Sequence, residues 1–241
     1  IKWPLRALVI VIFIALALWA WTWSWTFTDQ GRMEYGAAII AKLVEWKAPG
    51  ELIMTPEARK IANDNTVNWL GDRKVFAVAS VQDLEVAGPA GPISVRVYVP
   101  EAEKPLPMYL MIHGGGYWMG NDYRIEEAGA TQIANLAEVI VVTVDYRLAP
   151  EHPFPAALND CYAVLQWLAR NGADLGGDPT RIAVGGASAG GNLSAALTLK
   201  ARNERGPALA FQLLSVPSTD MSHSNDRETG DRRGDIATIA D

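Results

Sequence analysis

The chain has 241 residues, a net charge of −6 and a hydrophobic share of 49%, which suits one α/β domain of ordinary size with its own core. The mildly acidic balance gives no reason to expect a nucleic-acid partner. Cys161 is the single cysteine, so no intrachain disulfide can form, and three histidines with one cysteine supply no metal-ligand cluster.

Residues 7–28 carry no charge and combine an aliphatic run with tryptophans at 19, 21, 23 and 25. Twenty-two uncharged residues are enough for a membrane-spanning helix, and Trp-rich ends suit the membrane interface. Three readings fit this stretch. The preferred one is an uncleaved single-pass anchor, with Lys2 and Arg6 before the run favouring a cytoplasmic N-terminus and an extracytoplasmic domain. The others are a cleaved signal peptide of a secreted protein and a buried helix.

Residues 29–75 read as a helical linker or small cap. Within them Thr55 and Pro56 mark a helix start, as cap and first-turn residue. Residues 81–86 and 93–99 alternate as strands around a Gly-Pro-Ala-Gly-Pro turn and predict a hairpin at a sheet edge. Continuous apolar strands are predicted at 108–112, 139–144, 182–184 and 211–216. Helices are predicted at 130–137, at 155–170 and after residue 188. The helix at 155–170 sets Ala157, Cys161, Val164, Leu165 and Leu168 on one face. Strands alternating with helices imply a mostly parallel sheet covered on both faces, spanning residues 76–221.

Two stretches carry chemistry. Gly186-Ala187-Ser188-Ala189-Gly190 fits G-x-S-x-G between a strand and a helix. A serine on such a turn needs an unusual backbone angle, and small neighbours let strand and helix approach. On the pentapeptide alone, a plain small-residue turn fits equally well. Upstream, the strand at 108–112 runs into His113-Gly114-Gly115-Gly116-Tyr117-Trp118. Successive glycines there expose backbone N–H groups that can stabilise an oxyanion. The phosphate-loop and dinucleotide-loop patterns are absent.

Three stretches together resemble one family: 113–118, the run Asp145-Tyr146-Arg147-Leu148-Ala149-Pro150-Glu151-His152-Pro153-Phe154-Pro155-Ala156, and 185–192 with 178–182 before it. They are similar to the hormone-sensitive-lipase-like esterases of the α/β-hydrolase superfamily, over roughly residues 75–220. The resemblance implies an α/β-hydrolase fold and a serine carboxylic ester hydrolase acting on short or medium acyl esters, with no cofactor and no metal. It implies Ser188 as nucleophile and Gly115, Gly116 and Ala189 as oxyanion-hole amides. Trp118 is expected near the acyl pocket, although a packing aromatic fits that position as well. His113, Asp145, Tyr146, Arg147 and Glu151 are expected to be structural.

The pattern then breaks. Such an enzyme needs a base and an orienting acid, in the order Ser, Asp or Glu, then His. Asp220 and His223 stand in that order but directly after the last strand, too early for either role. Residues 222–235 contain no apolar residue, so 222–241 reads as a disordered polar tail. A core that is truncated or leaves its reading frame near Ser222 also fits, and predicts an incomplete sheet with an exposed apolar edge. The competing function is a non-catalytic small-molecule-binding module, or an inactive gene fragment, that keeps the fold without a triad.

Overall fold

The computed structural model describes residues 2–28, 31–47, 54–103 and 105–219. The chain divides between Ile53 and Met54 into two compact units. In the first, helix α1 (Lys2–Ser24) leads into the two-residue strands β1 (Phe27–Thr28) and β2 (Gly31–Arg32), then helix α2 (Tyr35–Lys47). The Thr22 hydroxyl lies 2.6 Å from that of Tyr35, and the Arg32 guanidinium sits 4.5 Å over the Trp23 ring. Tyr35 and Arg32 thus clasp the Trp-rich end of α1.

The spanning helix expected over residues 7–28 is not upheld. The helix ends at Ser24, Phe27 has already entered a strand, and no helix among the described residues is long and apolar enough to cross a membrane. The aliphatic part of the uncharged run ends at Leu18, and the helix closes on Trp19, Ala20, Trp21, Thr22, Trp23 and Ser24.

The second unit starts with α3 (Pro56–Leu70), capped as expected by the Thr55 hydroxyl, which accepts from Ala58 N at 3.2 Å. Strands β3 (Ser80–Gly88), β4 (Gly91–Val99) and β5 (Leu106–Ile112) follow. Then come α4 (Tyr123–Ala137), β6 (Ile140–Val144), α5 (Ala156–Asn171), a short 3₁₀ turn (Gly172–Leu175), β7 (Gly177–Ala187), α6 (Ala189–Asn203) and β8 (Phe211–Ser215). The sheet order is β3-β4-β6-β5-β7-β8. The hairpin β3–β4 lies at one edge and joins β6 antiparallel, while β6, β5, β7 and β8 run parallel.

Side chains alternate across the parallel strands with the period of two that extended backbone imposes. Leu110, Ile112, Val142 and Val144 face a core built with Cys161, Leu165 and Leu168 of α5 and Leu197 of α6. Tyr109 and Val141 face the other way, with Ala130 and Ala134 of α4. Helices therefore cover both faces, and every residue of β6 is buried.

Two starts differ most from the sequence reading. Helix α4 begins seven residues earlier than expected, because the Asp122 carboxylate caps it by accepting from Arg124 N at 3.0 Å. Strand β7 begins at Gly177 rather than 182, with a register shift opposite Leu106 and Met108.

Candidate active site

Ser188 stands between β7 and α6 with φ 54° and ψ −119°, outside the regions open to ordinary L residues, and it is solvent-exposed. A turn this sharp exists only because its neighbours lack side chains. A Cβ on Gly190 would lie 2.0 Å from the Ile112 carbonyl oxygen, and one on Gly186 would lie 2.1 Å from the same atom. The end of β5 therefore fits directly beneath the turn. Two hydrogen bonds hold the strained residue. Ser188 N donates to Ser215 O on β8, and Ser188 O accepts from Asn192 N on α6, each at 3.0 Å. Ala189 is the first residue of α6 and is buried. Its N–H belongs to the helix start, where amides lack intrahelical acceptors and the dipole favours negative charge.

The glycine loop leaves the end of β5 beside this turn. A Cβ on Gly114 would sit 2.7 Å from Ala187 O and 3.5 Å from Ser188 Cβ, so loop and serine are in direct contact. Gly115 takes φ 114°, a backbone angle that any side chain would strain. Its carbonyl accepts from Trp118 N at 3.2 Å and Met119 N at 3.1 Å, which curls the loop back on itself. The Gly115 and Gly116 amides thus lie in the loop that abuts Ser188. Trp118 is buried.

The residues expected to be structural brace this loop. The Tyr146 hydroxyl donates to His113 O at 2.9 Å, and its ring stacks on the His113 imidazole with centroids 4.1 Å apart. His113 Nδ1 donates to Gly114 O at 2.8 Å, an assignment fixed by the carbonyl partner. Burial pushes the His113 pKa down to about 4, so the ring is neutral at pH 7. Arg147 grips the buried Asp160 carboxylate of α5 through Nε and Nη2, each at 2.8 Å. At the end of β6, burial pushes the Asp145 carboxyl up to about 6. Asp220 and His223 lie outside the described residues.

Sequence reasoning missed two residues here. Arg59 and Asn63 of α3, one helical turn apart, both bond to the loop. Arg59 Nε donates to Trp118 O, and Asn63 Oδ1 accepts from Gly120 N at 3.0 Å. Their spacing of four placed them on one helix face, but nothing in the sequence said what that face met.

Among the described residues no group of His, Cys, Asp and Glu is arranged to hold a metal ion. The arrangement that is present suits acyl transfer. An exposed hydroxyl on a strained turn stands beside a glycine loop and a helix start, both of which carry free N–H groups.

Comparison with known proteins agrees with this geometry. The chain is 49% identical over 144 residues to Esterase LipI of Mycobacterium tuberculosis, covering 58% of this chain and 44% of that protein. It is 49% identical over 143 residues to Carboxylesterase NlhH of the same organism, covering 58% and 44%. The chain thus spans less than half the length of these relatives. A hyperthermophilic esterase from the archaeon Pyrobaculum calidifontis superposes with a TM-score of 0.67 at 32% identity, over 83% of this chain and 64% of that one. A family model described as alpha/beta hydrolase fold matches residues 109–240. The chain belongs to that family, the alpha/beta hydrolases.

Proposed function

We propose that the chain carries the nucleophile and oxyanion hole of a serine carboxylic ester hydrolase acting on short or medium acyl esters. The observation that carries the reading is the contact between the Ser188 turn and the glycine loop at Gly114. In this mechanism Ser188 Oγ attacks the ester carbonyl. The Gly115, Gly116 and Ala189 amides hold the oxyanion, the alcohol leaves, and water releases the acid from the acyl-enzyme. Trp118 would stand near the acyl group. No cofactor enters these steps.

Deprotonation of Ser188 needs a base. His113 is buried, stacked and bonded to its own loop, which suits it for bracing rather than proton transfer. In this superfamily the acid and the histidine follow the nucleophile in the chain. Among the described residues after Ser188 there is no histidine, and the one acid is Glu204, at the far end of α6.

The test compares the protein with Ser188→Ala for p-nitrophenyl butyrate turnover and for covalent labelling by a fluorophosphonate, read by intact mass. The expected result is Ser188-dependent labelling that the alanine variant abolishes. Equal turnover and equal labelling in both proteins would overturn the reading. Reversible ester binding with an unreactive Ser188 would favour a binding module instead.

We also propose that residues 7–28 hold the protein at a membrane surface. What supports this is the exposure on α1 of large apolar side chains, Ile10, Phe13, Leu18 and Trp21 among them. Co-flotation with lipid vesicles should fall about tenfold when Phe13 and Leu16 both become Glu, given the area each removes from the lipid contact. Unchanged flotation would sink the proposal.

A further inference from the structure

Helix α3 has an unusual relation to the rest of its unit. Its one fully buried residue is polar, Asn63. Two of its large apolar side chains, Ile61 and Trp69, are exposed, at 61% and 82%, and Val67 and Leu70 are only half-buried. A helix that packs for stability buries an apolar stripe. This one buries an amide, and the surface it shares with the start of α4 is a groove of about 320 Å³ lined by charged and amide side chains. Apolar burial therefore accounts for little of why α3 sits where it does.

Its polar bonds do explain it. Asn63 Oδ1 accepts from Gly120 N at 3.0 Å, and Asn63 Nδ2 donates to Asn121 Oδ1 at 3.0 Å. Arg59 Nε donates to Trp118 O, and Arg59 Nη2 donates to Ala149 O at 2.9 Å and to the Glu151 carboxylate. The Arg59 side chain is 14% exposed. Both residues thus hold the returning limb of the glycine loop, residues 118–121. Arg59 also ties that limb to the turn at 149–151, from which Ala149 N donates to Tyr117 O at 3.0 Å. The outgoing limb meets the Ser188 turn at Gly114. It is fixed to the returning limb through Gly115 O, which accepts from Trp118 N and Met119 N.

We infer that Arg59 and Asn63 are positioning residues for the oxyanion hole: from one face of α3 they fix the returning limb of the glycine loop, and so hold the Gly115 and Gly116 amides in register with Ser188. The inference rests on the esterase reading for its catalytic consequence. Its mechanical content, that α3 orders the loop, stands on the hydrogen bonds alone. Oxyanion donors act through preorganisation, and a displacement of about 1 Å is worth about a hundredfold in rate. Arg59 suits the task because its planar fork reaches two carbonyls and a carboxylate at once, which a lysine ammonium cannot match.

The experiment uses the full chain and the variants Arg59→Ala, Arg59→Lys, Asn63→Leu and Asn63→Asp. Lys60→Ala on the same helix serves as a control whose labelling should match the parent protein. Three quantities are read: the fluorophosphonate labelling rate of Ser188 at saturating and sub-saturating reagent, the thermal melt, and amide exchange of the peptides covering 106–112 and 113–121. Arg59→Ala and Asn63→Leu should slow the saturated labelling rate on the order of tenfold to a hundredfold, with reagent affinity within about threefold. Exchange should quicken in 113–121 and not in 106–112. Asn63→Asp keeps an acceptor for Gly120 N and should recover most of the rate, whereas Arg59→Lys should recover little. Labelling and exchange both within twofold of the parent, in folded variants, would overturn the inference. If Arg59→Ala or Asn63→Leu does not fold, the contrast between Asn63→Asp and Arg59→Lys decides in the same way. If the parent labels no faster than Ser188→Ala, the esterase reading fails. Exchange at 113–121 then decides alone: faster exchange in the variants upholds the positioning role, and unchanged exchange overturns it.

Discussion

The two flanks of Ser188 are built on opposite plans. On the β5 side the glycine loop is held from three directions: by Tyr146 and Ala149 from the segment after β6, by its own amides closing on Gly115, and by Arg59 and Asn63 from α3. On the β8 side the serine has two backbone acceptors nearby, Ser215 O for its own amide and Ser218 O for the Asn192 side chain, and much of the apolar surface around them faces solvent. Phe211, Leu213 and Val216 are 63%, 47% and 80% exposed. The glycine-loop side of the site is thus braced within residues 54–219, while the side beyond β8 is uncovered by the described residues. Preorganised donors need a rigid support, and that support is present on one flank alone.

The largest expected contrast comes from truncating one aliphatic residue on each side. Ile140 begins β6 and is fully buried, whereas Leu213 on β8 is about half exposed. Ile140→Ala should destabilise by about 2–5 kcal/mol through lost burial and the cavity left behind. Leu213→Ala should cost about 1 kcal/mol or less, because less apolar area returns to water. Urea melts of both variants give the comparison directly. Equal losses would mean that β8 is covered in solution by something outside the described residues, and that the two flanks are alike.

This contrast also bears on what the sequence could reveal. The strands at 140–144 and 211–215 read alike, as short apolar runs before turns, and both exist. Their burial differs because β6 lies between β4 and β5 while β8, among the described residues, has β7 on one side only, and sheet order is a property of tertiary pairing that a five-residue run does not encode. The Ser188 turn was legible because its constraints are local. Gly186, Ser188 and Gly190 lie within five positions, and steric exclusion dictates each glycine. Arg59 and Asn63 were illegible because their partners lie near residue 120 and beyond, and because a polar helix face meeting backbone carbonyls has no periodic signature. A spanning helix over residues 7–28 is not supported among the described residues, where α1 stops at Ser24 and the chain turns into β1.

A middle-sized effect is expected from pH, and it belongs to the closed flank. Burial pushes the Asp145 carboxyl up to about 6, against about 3.9 for an exposed aspartate. The folded state therefore holds this proton more tightly than the unfolded state does. Below pH 4 the group is protonated in both states and contributes nothing. As pH rises from about 4 to about 6 it costs stability, and above 6 the full penalty remains. Asp145→Asn should gain on the order of 2 kcal/mol at pH 7 and nothing at pH 4. His113 slopes the other way, since its depressed pKa makes the fold lose stability as pH falls from about 6.5 towards 4. That contribution is common to parent and variant and cancels in their difference. A parent-to-variant difference that stays flat from pH 4 to 7 would show that Asp145 is solvated, and that this flank is less closed than its burial indicates.

The smallest effect tests the open flank. Val216 follows the carbonyl that Ser188 N bonds and takes φ 41°, where a β-branched side chain crowds its own backbone. Such strain is worth about 1–3 kcal/mol and persists only where surrounding structure enforces it. The side chain is 80% exposed, so it secures little by packing. Val216→Gly relieves the angle and pays up to about 1 kcal/mol in unfolded-state entropy, leaving a net gain near 1 kcal/mol in a urea melt. A loss of that size would mean instead that the valine side chain is buried in solution. A gain that leaves Ser188 labelling unchanged would show the strain to be incidental to the nucleophile. A gain accompanied by slower labelling would show that Val216 helps to hold Ser215 O under the Ser188 amide, and that the open flank, sparse as it is, sets the angle of the serine.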